Sequence, residues 1–346
     1  MLIDQKNAHG GDIYSNDVLL DFSSNVNPYG MPETVKEAAA SSIEKAALYP
    51  DPYCRALREA IAKKEKVETK HILCGNGAAE LIYSYAYSLP KGRPALIVSP
   101  SFCEYGKALD AAGIVQKHYV LSEENGFKVT KDFLKTDFNN YSAVFICTPG
   151  NPTGVSVDKT IIEETAKTRA RLFIDMCFAD LADRGGLYDV PRLISKYPSV
   201  TVLKAFTKSY GMAGIRLGYV MCCDDDLLRT MSDKTQCWNV SSVAQASGIA
   251  ALDCDDWISE KRELIKKERR RVADELRSYG IRVYESEANY LLLYSEYDLY
   301  GLLLGQKILA RDCSDYVGLK KGYIRVAIKT KEQNDRLLSA IRGVIK

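Results

Sequence analysis

Between residues 70 and 222 the chain alternates short apolar runs with stretches of helical period. Runs at 71–74, 95–99, 115–120, 143–147, 171–174, 199–204 and 217–222 have strand length. The run 143–147 (AVFIC) is apolar throughout, as a strand buried on both faces must be. Residues 55–64, 78–88 and 158–168 read as helices, another starts within 100–105, and an earlier one opens at Pro32 and runs to about residue 47. Repeated strand–helix units of this kind give a mainly parallel sheet with helices on both faces. After residue 253 the pattern changes. Residues 257–278 form a long charged helix with a rough apolar stripe of Ile258, Leu264, Val272 and Leu276, read as a solvated linking helix. Strands at 281–284, 290–294 and 323–328 and helices at 299–310 and 331–345 complete a compact α+β unit. The expected organisation is an α/β large domain over 48–252, with 1–47 and 253–346 forming an N-terminal arm and a smaller domain.

Composition narrows the function classes. The 346 residues carry 47 Lys and Arg against 45 Asp and Glu, a net charge of +2, so no electrostatic footprint for nucleic acid or a membrane surface stands out. No apolar run reaches membrane-spanning length. The start of the chain, MLIDQKNAHGG, has no apolar h-region, so a cytoplasmic protein with reduced thiols is expected despite ten cysteines. The cysteines show no C-x-x-C spacing, and His9, His71 and His118 lie far apart in sequence, so no metal site is expected.

The chemistry gathers where predicted strands end. Gly75, Phe102, Asn151, Asp175 and Lys208 each lie just past one, the place where open α/β sheets bind ligands. Gly75-Asn76-Gly77 leads into a helix, and such a turn presents backbone N–H groups to phosphate. A Lys in a Gly-rich segment is commonly just solvated. One desolvated at a strand end is a nucleophile able to form a Schiff base with a carbonyl. Arg216, eight positions beyond Lys208, can clamp a phosphate. The turn-rich stretch 23–30 (SSNVNPYG) offers polar groups to a small ligand. Together, a Lys, an acid, an amide, an aromatic ring and a phosphate turn suit pyridoxal 5′-phosphate (PLP).

The motifs NPTG at 151–154, Asp175 after a strand, and TKSYGMAGIRLGY at 207–219 make the chain resemble, over essentially its whole length, the fold-type I PLP enzymes of the class I/II aminotransferase superfamily. That resemblance implies a large domain around a mainly parallel sheet of seven-stranded type. It implies that Lys208 carries the cofactor, Asp175 faces the pyridine nitrogen and Asn151 the phenolate oxygen, and Phe102 stacks on the ring. Gly75, Asn76, Gly77, Thr207 and Arg216 would hold the cofactor phosphate. Tyr49 would reach that phosphate from the other subunit of a homodimer, and Arg325 would take the substrate carboxylate. The sequence departs from the family pattern at Phe178, where a Tyr hydroxyl is common, and at Ala205, where Ser or Thr is common.

Within the superfamily two branches are similar to the chain, histidinol-phosphate aminotransferase and the L-threonine-O-3-phosphate decarboxylase of cobalamin biosynthesis. The stretches HGGD at 9–12, DFSSNVNP at 21–28, PSFCEY at 100–105, WNVS at 238–241 and IRVAIKT at 324–330 look more like the decarboxylase, as do Phe102 and Phe178. By that likeness His9, Asn25 and Lys329 would bind the phosphorylated substrate. O-phosphoserine, one methyl smaller, is an alternative substrate, because an apolar pocket separates one carbon by only about 1–3 kcal/mol.

Overall fold

The computed structural model of the chain describes residues 9–183 and 188–345. Its strands are β1 (Leu20–Asp21), β2 (Ile72–Gly75), β3 (Ala95–Ser99), β4 (Gln116–Val120), β5 (Ala143–Cys147), β6 (Arg171–Asp175), β7 (Val200–Ala205), β8 (Gly218–Cys222), β9 (Arg282–Val283), β10 (Tyr290–Tyr294), β11 (Ile308–Leu309), β12 (Arg311–Asp312) and β13 (Tyr323–Ala327). Seven of them form one sheet in the order β2-β8-β7-β6-β5-β3-β4. Only β8 runs against its neighbours, pairing antiparallel with both β2 and β7. The sheet is therefore mainly parallel, as the alternating pattern requires. β5 and β8 are buried at every position, so neither shows a polar alternation.

Helices cover both faces, and each face has its own apolar core. Leu81, Tyr85, Tyr105 and Leu109 pack with Phe145 and Phe173 on one side. Leu57, Ile61, Ile146, Ile162 and Ile174 belong to the core on the other. Within the first core, Phe145 lies 5.6 Å ring to ring from both Tyr85 and Tyr105, and 5.2 Å from Phe173.

The C-terminal part forms a second sheet, β12-β13-β10-β9, with its own core of Leu291, Leu293, Ile324, Val326, Leu337 and Ile341. β13 lies inside this sheet, so Arg325 is on an interior strand and not at an edge. The N-terminal segment packs on this core through a separate two-stranded sheet, in which β1 pairs in parallel with β11. The first eight residues of the expected arm, and Lys346, lie outside the described residues.

Several sequence expectations are corrected. The helix opening at Pro32 spans Glu33–Ser42 and gives way to a 3-10 turn at Ile43–Lys45. The helix expected over 299–310 stops at Gly305, because β11 follows. Helices Asp225–Ser232 and Ser242–Ala251 escaped the reading altogether. The long helix spans Asp255–Ser278, and Ile265, not the exposed Leu264, faces the core. This helix is also more than a solvated connector. Arg269 is buried, donates to the Ala288 carbonyl at 3.0 Å and pairs with Asp183.

Replacing Phe145 by Ala removes the ring around which three other aromatic rings pack, and should cost about 3–5 kcal/mol. Denaturant unfolding of the Phe145→Ala protein checks this; a loss below about 1 kcal/mol would mean that the cluster closes over the gap.

Candidate active site

The carboxyl ends of β2, β3, β5, β6 and β7 open onto one cavity of about 370 Å³, within the roughly 300–1,000 Å³ usual for small-molecule sites. Nine residues singled out from the sequence line it: His9, Asn25, Phe102, Asn151, Asp175, Thr207, Lys208, Arg216 and Arg325. They come together because each follows a strand of the large sheet, lies on β13, or sits on the N-terminal segment threaded between the sheets.

That segment is fastened to the lysine turn. Asn27 donates its backbone N–H to the Lys208 carbonyl at 2.9 Å and its side-chain amide to the Ser209 carbonyl at 2.8 Å. Gly211, at φ +68°, fits here because a Cβ would stand 2.4 Å from the Gly30 carbonyl oxygen. The approach of the two chains therefore requires glycine.

Lys208 sits on the single turn Phe206–Ser209 directly after β7. Burial, and then the Arg325 guanidinium, hold its amine down at about 8. Asp175 ends β6 and is 5 % exposed. Its Oδ2 accepts the Tyr105 hydroxyl at 2.5 Å and its Oδ1 accepts the Cys177 backbone N–H at 2.9 Å. Asn151 accepts a hydrogen bond from the Arg325 guanidinium through Oδ1, which leaves its amide N–H groups to donate. The other guanidinium arm of Arg325 donates to the Ser23 carbonyl at 2.5 Å.

Gly75, Asn76 and Gly77 stand at the amino end of the helix Gly77–Ser88, whose next residues, Ala78 and Ala79, line the cavity. Gly77 has φ +79°, and a Cβ there would lie 2.6 Å from Arg216 Nη2. The guanidinium thus lies against the helix start, and Arg216 itself holds a left-handed backbone, φ 63°. Such a conformation costs a non-glycine residue of order 1–3 kcal/mol and persists where the surroundings impose it.

Five expected residues do not line the cavity: Gly75, Asn76 and Gly77, which precede the lining residues Ala78 and Ala79, and Tyr49 and Lys329. Tyr49 is 78 % exposed and stacks on Trp238 at 4.3 Å between ring centres. Lys329 lies behind the Ser23–Ser24 loop, with its amine 3.4 Å from the Ser24 carbonyl and Asp21 nearby. Two others were missed. Arg311 and Tyr316 line the cavity, and Arg311 stands directly opposite Arg325 in the β12–β13 register. Asp315 holds Arg311 with two hydrogen bonds of 2.9 and 2.8 Å. A two-residue strand has no periodicity to read, so only the pairing reveals this arginine.

His9 is far from Glu104 in sequence but 2.8 Å from it in space, with Cys103 Sγ 3.7 Å from the other ring nitrogen. The ligating atoms of His9, Cys103 and Glu104 lie within 4.8 Å of one another, a grouping that sequence distance concealed. The Cys103 thiol and then Glu104 hold the His9 imidazole up at about 9, and Lys107 also reaches Glu104, at 2.9 Å. The cluster presents a cationic imidazolium to the cavity.

A family model for aminotransferase class I and II matches residues 17–341. The chain belongs to this family. It is 36% identical to a threonine-phosphate decarboxylase of Salmonella typhimurium, over 98% of the chain and 96% of the relative. It is 30% identical to an adenosylcobalamin biosynthesis bifunctional protein of Leptospira interrogans, over 94% of the chain and 39% of that longer protein. The histidinol-phosphate aminotransferase structure from Clostridium acetobutylicum matches with a TM-score of 0.88 at 29% identity, covering 94% of the chain and 99% of that structure. The cofactor of the family is PLP.

The cavity suits that cofactor with an amine lowered enough to take an aldehyde, a fixed carboxylate at Asp175 and an Asn151 amide left to donate. It also has polar atoms to spare for a further ligand. Both amide atoms of Asn25 and Nε of Arg325 are buried without a hydrogen-bond partner, which is costly unless a ligand supplies one. The glycine at the helix start lets the Arg216 guanidinium approach that helix end, which puts a cation beside the backbone N–H groups that would take a phosphate.

The lowered Lys208 amine has a direct consequence. Only the neutral amine attacks an aldehyde, so capture of PLP by the apoprotein should rise with pH, half-maximally near pH 8 and not near the ordinary lysine value. Borohydride trapping and mass spectrometry of the Lys208 peptide measure it, and Lys208→Ala should trap nothing at this position. A midpoint near 10 would show that burial does not govern this amine.

Proposed function

We propose that the protein catalyses the PLP-dependent decarboxylation of L-threonine O-3-phosphate to aminopropanol O-phosphate, a step of cobalamin biosynthesis. The observation that carries the reading is a second anion site facing the cofactor residues: Arg311 opposite Arg325, with the His9 imidazolium at the cavity rim. Like charges directly across a strand pair repel. Asp315 offsets part of the Arg311 charge and Glu104 part of that on His9, and two cavity-lining arginines in that register still suit a substrate with more than one anionic group. The 36% identity to a threonine-phosphate decarboxylase supports the same reading.

In this reading Lys208 is the nucleophile that takes the cofactor, Asp175 faces the pyridine nitrogen, Asn151 donates its amide to the phenolate oxygen, and Phe102 stacks on the ring. Gly75, Asn76, Gly77, Thr207 and Arg216 bind the cofactor phosphate. PLP would supply an electron sink for the pair released from whichever Cα bond stands perpendicular to its ring. Arg325 holds the substrate carboxylate. His9, Asn25 and Arg311 hold the substrate phosphate, with Lys329 adding charge from behind the loop. These two grips set the rotation about Cα and so select the bond that breaks. Phe178 packs edge-on against Tyr290 at 5.0 Å and brings no hydroxyl to the phenolate side, and Ala205 brings none to the phosphate.

The protein acts as a homodimer in this reading. Leu48, Tyr49 and Tyr53 are 71 %, 78 % and 60 % exposed, and Trp238 beneath Tyr49 is 44 % exposed. An apolar patch of this kind suits a second copy, which would bring Tyr49 to the neighbouring site.

The competing reading is histidinol-phosphate aminotransferase, favoured by the close match to the Clostridium structure. Incubating the holoenzyme with O-phospho-L-threonine and no keto acid separates the two. Multiple turnovers to CO₂ and aminopropanol phosphate are expected, and O-phosphoserine ranks the substrates. No CO₂, with conversion of histidinol phosphate and 2-oxoglutarate, would establish the aminotransferase.

Arg325→Ala removes the carboxylate grip and should raise KM for the phosphorylated amino acid about a hundredfold, the scale of losing one partner of a buried charged pair. An unchanged KM would place the carboxylate elsewhere in the cavity.

A further inference from the structure

We propose that Tyr105 is a positioning residue for the cofactor: its buried hydroxyl holds one oxygen of Asp175 and so fixes how that carboxylate meets the pyridine nitrogen and how much charge it brings there. The inference rests on the reading of Asp175 as the residue that faces that nitrogen.

Tyr105 lies one turn beyond Phe102, on the helix Cys103–Ala111 that follows β3. It is fully buried. Its ring stands edge-on to Phe102 at 5.9 Å and packs against Phe145 at 5.6 Å, so the residue said to stack on the cofactor and the residue that grips Asp175 share one helical turn. The Tyr105 hydroxyl reaches Asp175 Oδ2 at 2.5 Å, a short bond of the kind a carboxylate makes with a good O–H donor. The Cys177 N–H holds Oδ1 at 2.9 Å. With one donor on each oxygen, the carboxylate has a single orientation before any cofactor arrives.

Packing alone does not account for this bond. Tyr85 is fully buried in the same aromatic cluster, and its hydroxyl has no hydrogen-bond partner. The cluster therefore tolerates an unpaired phenol, whereas Tyr105 directs its hydroxyl to Asp175. A phenylalanine would fill the same space without the bond.

The other titratable groups facing Asp175 are Cys147 at the end of β5, Cys177 just beyond β6, and Tyr290 on β10. Burial raises all three, so they stay neutral. It also raises Tyr105 well above the usual phenol value, so its hydroxyl remains a donor at every working pH. Around Lys208 stand Cys177 and the cations Arg325, Arg216 and Lys329. Against this fixed background, the Tyr105 bond is the adjustable control on Asp175. A donor to a carboxylate draws charge away from it, and a partner behind a ligating side chain tunes that ligand in the same way.

The test follows the absorbance of the Lys208-linked cofactor as a function of pH in the reconstituted holoenzyme. Tyr105→Phe returns charge to Asp175, which favours the protonated chromophore, and should move the titration midpoint upward by about half a unit or more. Tyr105→3-fluorotyrosine keeps the shape and strengthens the donor, and should move it downward. If Tyr105→Phe does not fold, the fluorinated protein decides the matter alone. Midpoints unchanged in both proteins, with only a lower melting temperature in Tyr105→Phe, would overturn the inference and reduce Tyr105 to packing. Asp175→Asn is the control on the underlying reading. If it too leaves the midpoint where it was, Asp175 does not face the pyridine nitrogen and both readings fall; if it moves the midpoint while the Tyr105 variants do not, only the Tyr105 inference falls.

Discussion

Everything at the site depends on making one lysine amine easy to deprotonate, with cations around it. Two lysines four residues apart show how. Lys204, inside β7, is largely covered but lies 2.7 Å from Glu65 and 3.2 Å from Asp180, and these carboxylates raise its pKa despite desolvation. Lys208, one turn beyond the strand, has no carboxylate partner among the described residues. Burial and Arg325 both work against its charge, and the amine is held at about 8. The same strand end thus carries a structural ammonium and a usable nucleophile. Which lysine can react with an aldehyde is settled by where the acids lie.

The acids around Lys204 serve the site in a second way. Asp180 also accepts the Ser209 hydroxyl at 3.2 Å, next to Lys208 in sequence, and Glu65 accepts the Tyr219 hydroxyl at 2.6 Å. The short turn that carries Lys208 is therefore braced on one side by a half-buried polar network and on the other by Asn27. A nucleophile on a one-turn helix would otherwise inherit the mobility of the loop after it. A hydrogen-bonded polar network supplies directional rigidity that apolar packing does not.

Much of this was legible in the sequence, because strand ends are readable from apolar runs and chemistry at strand ends has positional meaning. β5 is a continuous apolar run and β7 a mostly apolar one, and Asn151 and Lys208 follow them within four residues. What escaped lies where local pattern carries no information. Arg311 sits on a two-residue strand and acquires its place only by pairing across from Arg325. His9 and Glu104 are joined through a fold that brings the N-terminal segment over the helix after β3. Tyr105 reads as one more apolar position on that helix, and its hydroxyl becomes important only when β6 delivers Asp175 beneath it. The stripe on the long helix was misread at Leu264 for a related reason, since charged residues that pair in the interior, such as Arg269 with Asp183, do not mark a solvent face.

Arg325 shows why the two sheets must be considered as one site. It is carried by β13 of the smaller sheet, yet it donates to Asn151 beyond β5 of the larger sheet and to the Ser23 carbonyl of the N-terminal segment. One guanidinium therefore ties three parts of the chain at the cavity wall and also depresses the Lys208 amine. Its Nε is buried and unpartnered, so one donor remains in hand. An arginine committed on two arms and open on the third is already oriented when an anion arrives. Ordering a long side chain at the moment of binding costs free energy; here the fold has ordered it in advance, and that preorganisation turns an anion-binding residue into one that can set the rotation of its ligand.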